Sequence, residues 1–246
     1  MLYVIYFSPT GGTKKVADIL AEAWEEKTFI DLSKKSVDCR KLIFTPDDTC
    51  LFAFPSFAGR IPRFLPPMLR VMKGGGARAI LAAVYGNRAI DDTLLEMQDL
   101  ANEAGFVCVA GISAVAQHSL AASYGAGRPD TMDAVQLREF ALRCKKAVSP
   151  AAMPGNHPYR AGGGSANPIR VDENCVSCGL CAARCPMDAL HGGDVSAADP
   201  TRCISCMQCV TICPNHARHL DENVQAAITE KLAPVCAGRK PNELFL

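Results

Sequence analysis

The sequence predicts a doubly wound α/β unit built on a parallel sheet, followed by a small α+β unit organised by cysteine. Three observations predict it. From the start to about Ala147, five near-continuous apolar strand runs alternate with helical ones, the pattern of a parallel sheet covered on both faces. Ser149–Pro168, rich in Pro, Gly and small residues, then breaks the alternation as an interdomain linker would. Two closely spaced cysteine tetrads follow.

Taken in order, Leu2–Phe7 is an apolar first strand running directly into a glycine turn. Thr13–Glu26 has helical spacing, with Val16, Ile19, Leu20, Ala23 and Trp24 on one face. Phe29–Leu32, Cys50–Phe54 and Ala79–Tyr85 read as the second, third and fourth strands. Pro62, Pro66 and Pro67 in Arg60–Lys73 weaken any regular element there. Asp91–Ala104 is amphipathic through Leu94, Leu95, Met97 and Leu100, and Gly105 suits the residue after a helix. Phe106–Ala116 is a fifth strand, and Asp130–Ala147 a last helix started by Pro129-Asp130. The expected division is a first domain at 1–148, a linker at 149–168, a cysteine domain at 169–221 and a tail at 222–246. In the tail, Glu222–Leu232 reads as helical and Leu244–Leu246 as irregular.

The 246 residues carry a net charge of +1, so no general attraction to nucleic acid or membrane is expected. No apolar run approaches the roughly eighteen residues a membrane span needs, and MLYVIYF lacks the basic flank of a signal peptide. A cytoplasmic setting with reduced thiols is the expectation. Of the cysteines outside the tetrads (Cys39, Cys50, Cys108, Cys144 and Cys236), Cys50 and Cys108 lie in strand runs and read as small buried hydrophobes.

The tetrads are CVSCGLCAARCP, from Cys175, and CISCMQCVTICP, from Cys203. Each is Cys-x2-Cys-x2-Cys-x3-Cys-Pro, the two-cluster iron–sulfur spacing in which the fourth cysteine serves the other cluster. Cys175, Cys178, Cys181 and Cys213 are thus expected to hold one [4Fe–4S] cluster, and Cys203, Cys206, Cys209 and Cys185 the second. Structural zinc is the alternative, but zinc sites separate their ligand pairs by a dozen or more residues. The tetrads also form an internal repeat at a spacing of 28 residues, extending to Ser177 with Ser205 and Ala189 with Ala217. A pseudo-twofold pair of half-domains sharing two clusters explains that repeat.

After the first strand come Ser8, Pro9, Thr10, Gly11, Gly12 and Thr13, then a helix. A hydroxyl- and glycine-rich turn at a helix start offers unpaired N–H groups and a positive dipole end, a fit for a phosphate monoester. At the carboxyl end of a strand in an open sheet, that is where a ligand sits. The Gly-x-Gly-x-x-Gly and Gly-Lys-Ser/Thr fingerprints are absent, which argues against dinucleotides and ATP. On this loop, the strand pattern and the tetrads, the chain resembles fusions of a short flavodoxin-type domain with a two-cluster bacterial ferredoxin domain. The loop matches the flavodoxin Ser/Thr-x-Thr-Gly-Asn/Gly-Thr pattern, with Gly12 where Asn is common.

The resemblance implies FMN, strand order 2-1-3-4-5, and two loops framing the flavin ring. One is Pro55-Ser56-Phe57-Ala58-Gly59, the other Tyr85-Gly86-Asn87. Phe57 and Tyr85 are placed to stack, Gly59 and Gly86 to admit backbone contact, and Asn87 to meet the pyrimidine side. His118, past the fifth strand, is a further candidate for the flavin, while Arg128 and Asp130 are expected to order the turn before the last helix. The implied function is electron transfer between low-potential clusters and FMN, interconverting one- and two-electron steps with redox partner proteins. The alternative is an FMN-dependent reductase of a small organic substrate, with Arg60, Arg63, Arg88, Arg128 and His118 lining an anion pocket. No acid/base pair or nucleophile constellation marks a catalytic residue, and the sequence leaves the oligomeric state open, a homodimer being one option.

Overall fold

In the computed structural model, which describes residues 1–162, 169–190 and 195–246, the expected strands form one sheet. β1 (Leu2–Tyr6), β2 (Lys27–Asp31), β3 (Thr49–Pro55), β4 (Arg78–Tyr85) and β5 (Val107–Val115) are all parallel, in the order 2-1-3-4-5. β3, β4 and β5 are buried nearly throughout, which is why their sequences are continuous apolar runs rather than alternating ones. On one face pack α2 (Leu65–Arg70) and α3 (Thr93–Glu103), over a core that includes Phe52, Phe54, Leu65, Leu94 and Met97. On the other pack α1 (Gly12–Ala21) and α4 (Thr131–Lys146), over Val16, Leu20, Ile80, Ile112 and Leu137.

α1 stops at Ala21, short of the expected Glu26. The chain must turn there to bring Lys27 into register with Leu2 at the sheet edge, so the apolar Trp24 lies past the helix and packs beside the core. Residues 149–162 are a docked strap rather than a free linker. Ala151 N–H donates to the Cys108 carbonyl, Met153 N–H to Gln98 Oε1, and Asn156 and Arg160 N–H to the Asp92 carboxylate. Met153 is buried against Gly111. The rest of the expected linker, 163–168, lies outside the described residues.

The cysteine unit is framed by an antiparallel pair, β6 (Ile169–Val171) and β7 (Arg218–Leu220), with one-turn helices α5 (Leu180–Ala183) and α6 (Gln208–Thr211) inside it. The repeat is visible in the backbone. Ser177 and Ser205 have φ of 51° and 49°, and Asp188 and His216 have 47° and 52°.

The largest departure from expectation is in the tail. α7 (Glu222–Cys236) is followed not by an irregular end but by β8 (Glu243–Phe245), antiparallel to β5 as a sixth strand. Leu244 and Phe245 each pack against one of the two sheet cores, and β8 covers β5, which would otherwise present a bare edge. None of the described helices is long and apolar enough to cross a membrane.

Candidate functional site

A cavity of about 660 Å³ opens at the carboxyl ends of the parallel strands. Its floor comes from three loops named from sequence, through Pro9, Thr10, Gly12 and Thr13, Pro55 to Ala58, and Tyr85 with Gly86. His118, with Arg60 to Arg63 and Arg88, forms a side wall, and another wall comes from outside the α/β unit. Ile204 and Ser205 of the second tetrad loop contribute, as do Val224, Ile228, Lys231 and Leu232 of α7. Sequence reasoning did not attach α7 to this site, because its apolar positions are as compatible with packing on either unit.

The loop between β1 and α1 is a tight turn closed by Ser8. Gly11 precedes α1 at φ 87°, a left-handed conformation that glycine adopts without the Cβ clash. Ser8 Oγ accepts the Lys14 N–H at 2.8 Å, so its oxygen satisfies the third residue of the helix. The first N–H groups of a helix have no partner within it. Those of Gly12 and Thr13 are left facing the loop, and both residues line the cavity.

Four candidates do not line the cavity: Ser8, Gly11, Gly59 and Asn87. A Cβ on Gly59 would meet the Asp91 carboxylate at 2.2 Å, so its lack of side chain serves the approach of the 88–92 loop. Asn87 is 3% exposed, and its amide is spent on the tail. Nδ2 donates to the Cys236 and Gly238 carbonyls at 2.7 and 2.8 Å, and Oδ1 accepts from Lys240 N–H. The expected contact of this side chain with a pyrimidine edge is therefore replaced by a clamp on the segment after α7. Tyr85 does both jobs: it lines the cavity, and its hydroxyl donates to the Pro241 carbonyl at 2.9 Å. Burial raises that phenol to about 12, keeping it a neutral donor.

His118 Nδ1 accepts two backbone N–H groups, from Leu120 at 3.2 Å and Ala121 at 3.1 Å. That leaves the proton on Nε2. Burial, aided by the nearby Arg88 charge, lowers its pKa, so the ring is a neutral donor at neutral pH. Gly86 makes this position possible, since a Cβ there would stand 2.5 Å from the imidazole.

Of the arginines proposed for an anion pocket, Arg60, Arg63 and Arg88 line the cavity and Arg128 does not, and each has a protein partner. Arg60 holds Glu96 in a two-pronged pair, Arg88 pairs with Asp91, and Arg128 is buried on Asp133 behind the site. Arg128 and Asp130 do order the turn before α4, through that pair and a capping box. Arg63 instead crosses to the cysteine unit, its Nη2 donating to the Thr201 and Arg202 carbonyls at 2.7 Å each.

Beside the large cavity lie two small ones. Cys175, Cys178, Cys181 and Cys213 ring the first, and Cys185, Cys203, Cys206 and Cys209 ring the second, the crossed grouping predicted from the spacing. Among the described residues, no three Cys, His, Asp or Glu side chains converge as closely as a single ion requires. The other five cysteines are buried away from these rings, and burial lifts Cys108 and Cys144 to about 12, marking them as packing residues.

Residues 167–214 match the 4Fe-4S dicluster domain family. The chain joins a flavodoxin-like fold to a ferredoxin-type dicluster domain. The first half of that statement rests on the strand order, the second on the family match. Over 25 residues it is 52% identical to Ferredoxin-1 of Rhodospirillum rubrum, covering 10% of this chain and 46% of that protein. Over a similar stretch it is 56% identical to a ferredoxin of Clostridium perfringens, covering 10% of this chain and 45% of that one. The chain thus spans about half the length of the curated relatives it matches. An archaeal flavodoxin structure is 13% identical with a TM-score of 0.44, covering 58% of this chain and 96% of that one. A Streptococcus pneumoniae flavodoxin is 15% identical with a TM-score of 0.43, covering 58% and 97%. At such scores they add nothing to the strand order.

Proposed function

We propose that this chain transfers electrons between two [4Fe–4S] clusters and an FMN held in the large cavity, exchanging one- and two-electron steps. The carrying observation is that Ile204 and Ser205, inside the second tetrad, line the same cavity as the phosphate-type loop. Cofactors seated in the two sites would be neighbours without any docking event. When bound, the clusters supply single electrons and the flavin supplies pairs.

The donor sets fit these groups. Eight thiols form two separate rings of four, the number of thiolates a [4Fe–4S] cluster takes. The glycine turn at α1 leaves backbone donors for a phosphate, and Phe57 and Tyr85 offer aromatic surface at the strand ends. Arg63 holds the second tetrad loop against the flavodoxin-like domain, and Ile204 and Cys206 pack on its core. Tyr124 ties the 118–128 loop to α7 through the Thr229 carbonyl at 2.8 Å.

The α7 wall supports a second reading, reduction of a small substrate at the flavin. A carrier leaves the ring edge open to partners, whereas Val224, Ile228 and Leu232 wall this cavity. His118, a neutral Nε2–H donor on the side wall of the same cavity, would be the residue that orients such a substrate.

The test is an anaerobic spectrum with iron, sulfide and flavin quantified per chain, followed by stepwise reduction. One FMN and about eight irons, with flavin reduction following cluster reduction, is the expected result. Reconstituted protein that holds iron but no flavin ends the cavity assignment. Turnover of a small oxidant by pre-reduced protein, lost in His118→Ala with FMN retained, favours the second reading.

A further inference from the structure

Among the described residues, Arg218 is the only buried charged side chain between Ile169 and Leu220, at 3% exposure. The repeat shows how unusual it is. Cys185 to Leu190 and Cys213 to Arg218 are equivalent segments, so one half carries an aliphatic residue where the other carries a guanidinium. Both positions are used alike: Leu190 lines the ring of Cys185, Cys203, Cys206 and Cys209, and Arg218 lines the other ring.

The guanidinium stands against the ring of Cys175, Cys178, Cys181 and Cys213. Its Nη1 donates to Cys181 Sγ at 3.8 Å and to the Val195 carbonyl. Cys181 is equivalent to Cys209 under the repeat, and the cation is bonded to the first of these. Among the described residues, Nε and Nη2 have no hydrogen-bond partner. A buried cation with unpaired donors is costly unless negative charge stands beside it.

We propose that Arg218 is a potential-setting residue for the cluster of Cys175, Cys178, Cys181 and Cys213, a fixed positive charge that favours its reduced state. The proposal rests on the cluster reading above. Each cluster gains one negative charge on reduction, and a guanidinium in a site of low dielectric stabilises the more negative state. Leu190, at the equivalent place in the other ring, carries no charge and cannot do this.

The test compares R218Q, R218L and R218K with the full-length wild-type protein, reconstituted anaerobically, in an EPR-monitored redox titration with iron and sulfide counted. R218Q keeps polar donors without charge, R218L installs the side chain of the other half, and R218K keeps charge without the fork. The neutral variants are expected to lower the reduced-to-oxidised ratio at fixed potential about tenfold, a downward shift of about 59 mV for a one-electron couple. R218K is expected to stay near the wild type. Neutral variants that lose iron while R218K retains it also support the proposal. Unchanged couples in iron-replete R218Q and R218L overturn it. So does loss of iron from all three, since shape and not charge would then be what the site requires. A wild type that binds no iron and sulfide defeats the cluster reading itself, a separate result.

Discussion

Replacing Asn87 by alanine removes three hydrogen bonds that tie the segment after α7 to the end of β4. Two run from Nδ2 to the Cys236 and Gly238 carbonyls, and one comes from Lys240 N–H to Oδ1 at 3.2 Å. Each is worth about 0.5–1.5 kcal/mol net, and the released tail can rehydrate, so their loss costs about 2–3 kcal/mol. Asn87 also has φ 64°, where alanine adds about 1 kcal/mol of strain that asparagine avoids in part. N87A should therefore lose about 3–4 kcal/mol, and N87G, free of that strain, about 2–3 kcal/mol. Urea unfolding with an unchanged m-value reads the difference, and hydrogen exchange at Glu243–Phe245 shows whether β8 has detached. The loss should be the same with and without FMN. A loss below about 0.5 kcal/mol, or one confined to flavin-loaded protein, would show that the side chain serves the flavin and not the tail.

Four further outcomes are expected. C178A should halve the iron, from about eight to about four per chain, and leave flavin reduction through the other site intact, whereas C206A should halve it and slow that reduction; equal rates in the two variants would remove the assignment of the second tetrad as the flavin's neighbour. R63A should weaken the docking of the second tetrad loop by about 1 kcal/mol, seen as a broadened distance between spin labels on the two domains, since the two short bonds lost have a charged donor but stand exposed and the third, to the Cys203 carbonyl, is long at 3.4 Å. G86A drives a Cβ into the His118 ring, so it should cost about 1–3 kcal/mol and weaken FMN binding; tight binding would mean His118 moves freely. Asp133 is 1% exposed, and although burial raises its pKa, bonds from Arg128, the Asp130 backbone and Asn242 lower it further, giving a net depression. A depressed folded value means the stabilisation is complete above the ordinary Asp pKa of about 3.9 and fades as pH falls below it. Residues 237–246, anchored there through Arg239 and Asn242, should become sensitive to limited pepsin digestion only in that acid range; equal sensitivity at pH 5 would contradict the assignment.

Much of the architecture was legible because its signals are local. Continuous apolar runs in β3, β4 and β5 mark strands buried on both faces, and the spacing of the tetrads limits which thiols reach one centre. The crossed grouping of Cys213 with the first ring and Cys185 with the second follows from that spacing alone. Asn87 and Gly59 were misread for a common reason. Both lie in loops of the right kind at the right strand ends, but which neighbour a loop side chain meets depends on segments distant in sequence. For Asn87 that segment is some 150 residues away.

What the amino-acid order determined by itself was the kind of chemistry: thiols grouped in fours, a donor-rich turn ahead of a helix, and a parallel sheet to present it. These depend on contacts among near neighbours, and short-range geometry is written in residue type and spacing. Only the tertiary structure decided that α7 and the second tetrad loop close the large cavity, that β8 completes the sheet, and that Arg218 is buried against the first cysteine ring. Those outcomes turn on long-range burial, where an apolar helix face or a lone cation has several possible partners and the lowest free energy of the whole fold selects one.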